Sequence, residues 1–209
     1  MANYDNAALF YDALAGLVYG KALKNAQAWL LEYIPAGSSV LVAGGGTGWI
    51  LEAIAQRFSG LQITYVEISQ NMMARSKKKN KGSNQVDFIN LPIESYTSER
   101  RYDVVTTCFL FDNFTQHNCE RIFTHINKQL KPGGVWLNAD FRLTGKWWQT
   151  LLLKAMLTFF RILCGIESRK LPDMEDLFAA AGYTQTAEQS FYGQFIRSTV
   201  YRKAGDQPS

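Results

Sequence analysis

Short apolar runs recur along the chain, and between them apolar positions return every three or four residues. Ser39–Ala43, Leu61–Glu67, Val86–Asn90, Asp103–Phe109 and Gly134–Phe141 have the length and the β-branched and aromatic content of strands. Trp49–Phe58, Gln70–Lys79 and Glu120–Leu130 carry the period of helices. This alternation predicts βαβ units and a parallel, doubly wound α/β sheet. Lys131-Pro132-Gly133-Gly134 ends a helix and launches the fifth strand, because proline cannot continue a helix and glycine permits the turn.

The two ends read differently. From about Asn6 to Tyr33 the pattern is that of an amphipathic helical segment, closed by Pro35-Ala36-Gly37. Asp173–Ala181 reads as a helix capped by Gly182. Tyr183–Phe191 and Gln194–Arg202 read as strands joined at Tyr192-Gly193, and strands joined so closely must be antiparallel. One stretch, "KWWQTLLLKAMLTFFRILCGI" at Lys146–Ile166, fits no βα alternation. The expected organisation is one domain: a helical cap at 1–37, a βα core at 38–141, a helical lid or insertion at 142–170, and a helix with a terminal hairpin at 171–209.

Composition narrows the class. The chain has 209 residues, 47% hydrophobic and 19% charged, ordinary for a soluble globular domain. A net charge of +4 is mild, and the densest basic run, Lys77-Lys78-Lys79-Asn80-Lys81, closes a predicted helix, where cations suit the dipole. No nucleic-acid partner is expected. Cys108, Cys119 and Cys164 are odd in number and scattered, giving neither a disulfide framework nor zinc spacing. The opening "MANYDNAALF" lacks a charged and an apolar leader region, so a cytoplasmic protein without a signal peptide is expected. His117 and His125 form no ligand-spaced pair, and no metal is expected.

The candidate chemistry lies in "VLVAGGGTG" at 40–48, a buried-strand pattern ending in four glycines over five positions. A helix follows directly, so these glycines sit on a strand-to-helix turn that presents free N–H groups. In an open α/β sheet, ligands bind beyond the carboxyl ends of the strands. Glu67 closes the second strand about twenty residues on, the place of a ribose-binding acid. A dinucleotide fingerprint places glycine or alanine where this chain has Trp49. The pattern G-x-G-x-G instead suits a nucleoside without a pyrophosphate.

Taken in order, "VLVAGGGTG", "YVEISQNMMARSKKK", "DFINLPIES", "RYDVVTTCFLFDNF" and "QLKPGGVWLNADF" resemble the class I S-adenosylmethionine-dependent methyltransferases, in the broad group that includes the ubiquinone/menaquinone C-methyltransferases. The resemblance covers about residues 38–141. It implies a Rossmann-like seven-stranded sheet, mostly parallel with a C-terminal antiparallel hairpin, and S-adenosylmethionine as cofactor. Gly44, Gly45, Gly46 and Gly48 would pass beneath its methionine part and Glu67 would hold the ribose. Ile68 and Met72 would pack on the adenine, Pro92 and Ile93 would offer backbone groups to it, and Cys108 and Phe109 would face the amino end. Tyr11 and Tyr19 either close over the cofactor or serve packing. Val42 departs from the family, which usually has an acid there. Leu91-Pro92-Ile93 departs again, where an acid usually bonds the adenine amine.

The acceptor side is read from residues past the fourth and fifth strands. Asp112, between Phe111 and Phe114, is the first candidate for an acceptor-side base and Asp140 the second; capping or turn roles compete for both. The Lys146–Ile166 segment is apolar on nearly every side, but Lys154 and Arg161 interrupt it and argue against a span. A lid over an apolar substrate, a homodimer interface and a peripheral membrane helix all remain open. The expected function is methyl transfer to a small, apolar or aromatic acceptor. Its rivals are a noncatalytic S-adenosylmethionine or nucleoside sensor, which Val42 favours, and a nucleotide-dependent oxidoreductase.

Overall fold

The computed structural model describes Gly16, residues 18–166 and residues 168–205. The apolar runs pair as β1 (Ser39–Ala43), β2 (Gln62–Val66), β3 (Gln85–Ile89), β4 (Tyr102–Cys108) and β5 (Leu130–Phe141), all parallel. The hairpin of β6 (Tyr183–Phe191) and β7 (Ile196–Lys203) joins antiparallel, with β7 against β5. The order across this seven-stranded sheet is β3-β2-β1-β4-β5-β7-β6. Strands apolar on both faces need helices on both faces. These are α1 (Ala22–Leu30), α2 (Trp49–Ala55), α3 (Gln70–Ser76), α4 (Gln116–Gln129), α5 (Trp147–Cys164) and α6 (Glu175–Ala180).

Alternation along each strand divides the core in two. Val40, Val42, Val104 and Leu137 face Leu23 and Ala26 of α1, Ile50 and Ile54 of α2, Met73 of α3, and Leu153 and Leu157 of α5. Leu41, Val105 and Trp136 face Ile122, Phe123 and Ile126 of α4 and Phe178 of α6. The fully buried Trp136 ring stacks on Phe123 at 5.0 Å and meets the edge of Phe178 at 5.0 Å. Such offset and edge-on aromatic pairs add to the gain from burial itself.

Some boundaries move for tertiary reasons. β5 begins at Leu130, not Gly134: Leu130 pairs with Tyr102, and the register then shifts so that Val104 meets Val135. The Gly133 N–H donates to the Ala204 carbonyl, a contact too distant in sequence to be foreseen. α4 starts at Gln116, not Glu120, because the Thr115 hydroxyl caps it by accepting from the Asn118 N–H. α3 stops at Ser76, leaving Lys77–Lys79 in a turn, where Lys79 pairs with Glu52 at 3.1 Å.

Asp103, near the start of β4, ties three strands together. Its Oδ2 accepts from the Ser39 N–H (2.9 Å) and hydroxyl (2.6 Å), and its Oδ1 accepts from Lys131 Nζ at 2.7 Å. Burial pushes this carboxyl up, but the bonds from Lys131 and Ser39 outweigh it and hold the pKa below the usual value. A depressed folded-state pKa stabilises the fold above the unfolded pKa, and that contribution is lost as pH falls through the folded value. Urea unfolding should therefore show Asp103→Asn less stable than wild type at neutral pH, with the gap closing below the carboxylate range. A gap that does not change with pH would contradict this.

Candidate functional site

The sheet order reverses between β1 and β4, with β2 on one side of β1 and β4 on the other, so a crevice opens at their carboxyl ends. The glycine turn lies there. The Gly44 and Gly45 N–H groups both donate to the Val66 carbonyl (2.9 and 3.2 Å). The Gly46 N–H donates to Glu67 Oε2 at 2.8 Å, and the Gly46 carbonyl accepts from the Tyr65 hydroxyl at 3.0 Å. A Cβ on Gly45 would sit 2.1 Å from the Tyr65 ring, so only glycine fits beneath it. Gly46, at φ +64°, has no described residue within 4 Å of the same position, and it belongs to the cavity wall. Gly48 differs from expectation. A Cβ there would lie 2.7 Å from Ser76 Cα, so this glycine lets α2 approach α3 and is not part of the wall.

Glu67 is buried and its Oε1 accepts from the Ser69 N–H at 2.8 Å. Ser69 caps α3, accepting from the Met72 N–H. Asn90 Nδ2 donates to the Glu67 and Ile68 carbonyls (2.8 and 3.0 Å) and fixes the end of β2. Ile68, Met72, Pro92 and Ile93 all reach the same cavity. The Pro92 carbonyl already takes the Ser95 N–H at 2.9 Å, closing the 3-10 turn Ile93–Ser95.

At the end of β4, Cys108 and Phe109 form a further wall. Burial, followed by the Asp140 charge, pushes the Cys108 thiol up to about 12, which makes it inert as a nucleophile at neutral pH. Phe109 has φ 56°, a conformation costly for a bulky side chain at about 1–3 kcal/mol, and its N–H donates to the Ala139 carbonyl at 2.7 Å. The 3-10 turn Phe111–Asn113 then turns Asp112 into the cavity. Asn113 Nδ2 clamps this turn, donating to Asp112 Oδ1 (2.9 Å) and to the Phe109 and Leu110 carbonyls (3.1 and 3.2 Å). Burial and then the Asp140 charge push the Asp112 pKa well above the usual carboxylate range. Asp140 lies behind the wall, its Oδ1 accepting from the Phe141 N–H at 2.9 Å. Burial raises Asp140 to about 7, against the pull of the Phe141, Asp112 and Phe111 N–H groups and the Arg197 charge. The two carboxyls titrate as a pair.

The cavity measures about 1030 Å³ and is continuous from Glu67 to α5. Leu152, Met156, Phe159 and Phe160 of α5 line it, opposite Phe109 and Phe141. Gln149, fully buried, anchors the start of α5: its Nε2 donates to the Gly193 carbonyl (3.1 Å) and its Oε1 accepts from the Thr144 N–H (2.7 Å). Tyr19 is in the wall, its ring 5.4 Å from Phe141 and its hydroxyl donating to Met156 Sδ at 3.3 Å; burial pushes its pKa up. Tyr11 lies outside the described residues. His117 is exposed, and His125 bonds the Tyr96 carbonyl through Nε2.

Two wall residues carry no clear signal in the sequence. Thr106, beside Val42 in register, is buried with a hydroxyl that has no partner among the described residues. A threonine inside an apolar strand reads only as a strand former. Lys24, whose ammonium stands 5.8 Å from the Trp49 ring centroid, reads only as the polar side of a helix.

Residues 40–134 match the methyltransferase-domain family. That domain, the methyltransferase relatives and the fold together support the class I S-adenosylmethionine-dependent methyltransferase superfamily, with S-adenosylmethionine as cofactor. This sets aside the dinucleotide reading. Its relatives include malonyl-[acyl-carrier protein] O-methyltransferase 2 of Ilyobacter polytropus, 32% identical over 106 residues, covering 49% of this chain and 39% of that protein. The malonyl-[acyl-carrier protein] O-methyltransferase of Priestia megaterium is 28% identical over 138 residues, covering 66% and 49%. The matches thus span less than half the length of either curated relative. Among solved structures, the Burkholderia thailandensis 1,6-didemethyltoxoflavin-N1-methyltransferase, with 1,6-didemethyltoxoflavin and S-adenosylhomocysteine bound, superposes at TM-score 0.65, with 18% identity over 95% of this chain and 88% of that one. That likeness is one of fold.

The turn geometry has a direct consequence. Gly45→Ala should lower the unfolding free energy by about 1–3 kcal/mol, because its methyl must displace the buried Tyr65 ring. Thermal unfolding checks this, and an unchanged midpoint would show that the ring gives way freely.

Proposed function

We propose that this chain transfers the methyl group of S-adenosylmethionine to a small acceptor with an apolar body and an ionisable proton. The observation that carries the reading is the continuity of one cavity from the glycine turn and Glu67, through Phe109 and Asp112, to the apolar side of α5. Gly44–Gly46 fit the methionine part, Glu67 the ribose hydroxyls, and Ile68, Met72, Pro92 and Ile93 the adenine. Lys24 gives the α1 side of the cavity a positive charge suited to a carboxylate.

S-adenosylmethionine supplies a methyl group already activated on a sulfonium. The chain's own part is to align the acceptor, exclude water and receive a proton. As the acceptor–carbon bond forms and the sulfur–carbon bond breaks, Asp112 accepts the proton released by the acceptor. Asn113 holds the Asp112 carboxyl in place, and Asp140 tunes it from behind. The two relatives described above are named for a malonyl group on an acyl-carrier protein. A carboxylate acceptor would meet the Asp112 carboxyl here, so an acceptor that must lose a proton suits this cavity better. A noncatalytic sensor is the second reading, favoured by Val42, an apolar side chain where a carboxylate would face the cationic cofactor. Product formation with any acceptor decides between them.

Calorimetry with S-adenosylhomocysteine tests the cofactor half. Wild type should bind, and Glu67→Ala should lose about 1.5–3 kcal/mol for each ribose bond removed. Wild type that fails to bind, or a variant of equal affinity, would overturn the assignment.

The pH dependence tests the acceptor half. A raised Asp112 pKa leaves the base protonated in mild acid, so activity should rise with pH through the titration of the pair. Asp112→Asn should lower kcat about 10²–10⁴-fold with cofactor affinity unchanged. Asp140→Asn removes the repelling charge, lowers the Asp112 pKa and should move the acidic limb to lower pH. An unmoved limb, or near-normal kcat in Asp112→Asn, would leave positioning alone as the source of catalysis.

A further inference from the structure

The outer side of α5 has no use in the site just described. Trp147 is 78% exposed, Leu151 62% and Ile162 83%, and these stand at i, i+4 and i+15, a stripe about 22 Å long down one side of the helix. Lys154 and Arg161 lie along its margin, both exposed and without an acidic partner among the described residues. No Asp or Glu occurs between Phe141 and Ile166. The helix is therefore apolar towards the cavity on one side, and apolar and cationic towards solvent on the other.

We infer that this outer face docks on an anionic lipid bilayer. Charge decides against a second copy of the chain as the occupant. A two-fold interface sets a patch against itself, and this patch holds no carboxylate to meet Lys154 or Arg161 of the other copy. Anionic headgroups accept both cations, while Trp147, Leu151 and Ile162 enter the headgroup–acyl boundary. Among the described residues no helix is long and apolar enough to cross a membrane, so the helix lies on the surface. Docking in this way sets Ala155 and Phe159, on the edge of the stripe and in the cavity wall, beside the lipid. An apolar acceptor dissolved in the bilayer would enter there. The docking rests on this face alone and not on the catalytic reading.

Flotation of the full chain with vesicles tests it. With about 30% phosphatidylglycerol in phosphatidylcholine the wild type should float, and with phosphatidylcholine alone it should stay at the bottom; added salt should release it. Trp147→Glu and Ile162→Glu should abolish flotation. Lys154→Glu and Arg161→Glu should each weaken vesicle binding at least fivefold, the effect of one surface cation. All four variants alter exposed side chains outside the cavity wall and should keep wild-type affinity for S-adenosylhomocysteine. A wild type that floats with neither vesicle, or variants that float as well as wild type, would overturn the inference. So would a solution dimer that Ile162→Glu dissociates, since that assigns the face to a second copy. Loss of cofactor binding in the wild type would instead strike the proposed function and leave the docking result standing.

Discussion

Three consecutive backbone N–H groups, those of Gly44, Gly45 and Gly46, must find acceptors in a turn that has no side chains of its own. They find them at the end of one neighbouring strand, in the Val66 carbonyl and the Glu67 carboxylate, while the Tyr65 hydroxyl answers the Gly46 carbonyl. Buried groups of this kind are expensive to leave unpaired. β2 therefore holds the loop of β1 and shapes the crevice between them. Gly45 is glycine because Tyr65 lies over it. Gly46 is glycine because its backbone runs left-handed along the open side.

The acceptor side is built by another device. Phe109 in a left-handed conformation and the Asn113 clamp turn the chain sharply past β4, so that a carboxyl three residues from a strained backbone faces an apolar cavity. Strain of this kind persists only where the surrounding structure enforces it. Here Asn113 and the Ala139 carbonyl do so. The cost falls on Asp112, whose pKa burial and the Asp140 charge push up, and on Asp140, whose pKa burial pushes up; the proposed proton-accepting role would turn that cost to use.

Much of this was legible in the sequence because it is local. The strand–glycine–helix passage, the Glu67 position and the terminal hairpin follow from periodicity and turn chemistry, and Tyr183–Phe191 is the strand expected. Ile68, Met72, Pro92, Ile93 and Asp112, singled out by the family resemblance, line one cavity. What escaped depends on contacts distant in sequence. β5 starts early because of Tyr102 and Ala204, and Gly48 serves helix packing because Ser76 lies opposite. Asp140 faces the back of the Asp112 turn and not the cavity, a matter of side-chain direction that strand alternation alone cannot place. The orphaned Thr106 hydroxyl has no counterpart in any sequence pattern. The sequence showed α5 as apolar on nearly every side. The fold divides those sides between core, cavity and solvent.

In the proposed function, one cavity at the sheet's switch point brings a nucleoside cofactor and an acceptor together. A crystal structure of the chain with S-adenosylhomocysteine tests it most directly. Both ribose hydroxyls should lie on the Glu67 carboxylate, the adenine between Met72 and Ile93, and the sulfur should face the Phe109–Asp112 turn beneath α5. A nucleoside bound elsewhere, or one whose sulfur points away from Asp112 and α5, would contradict it.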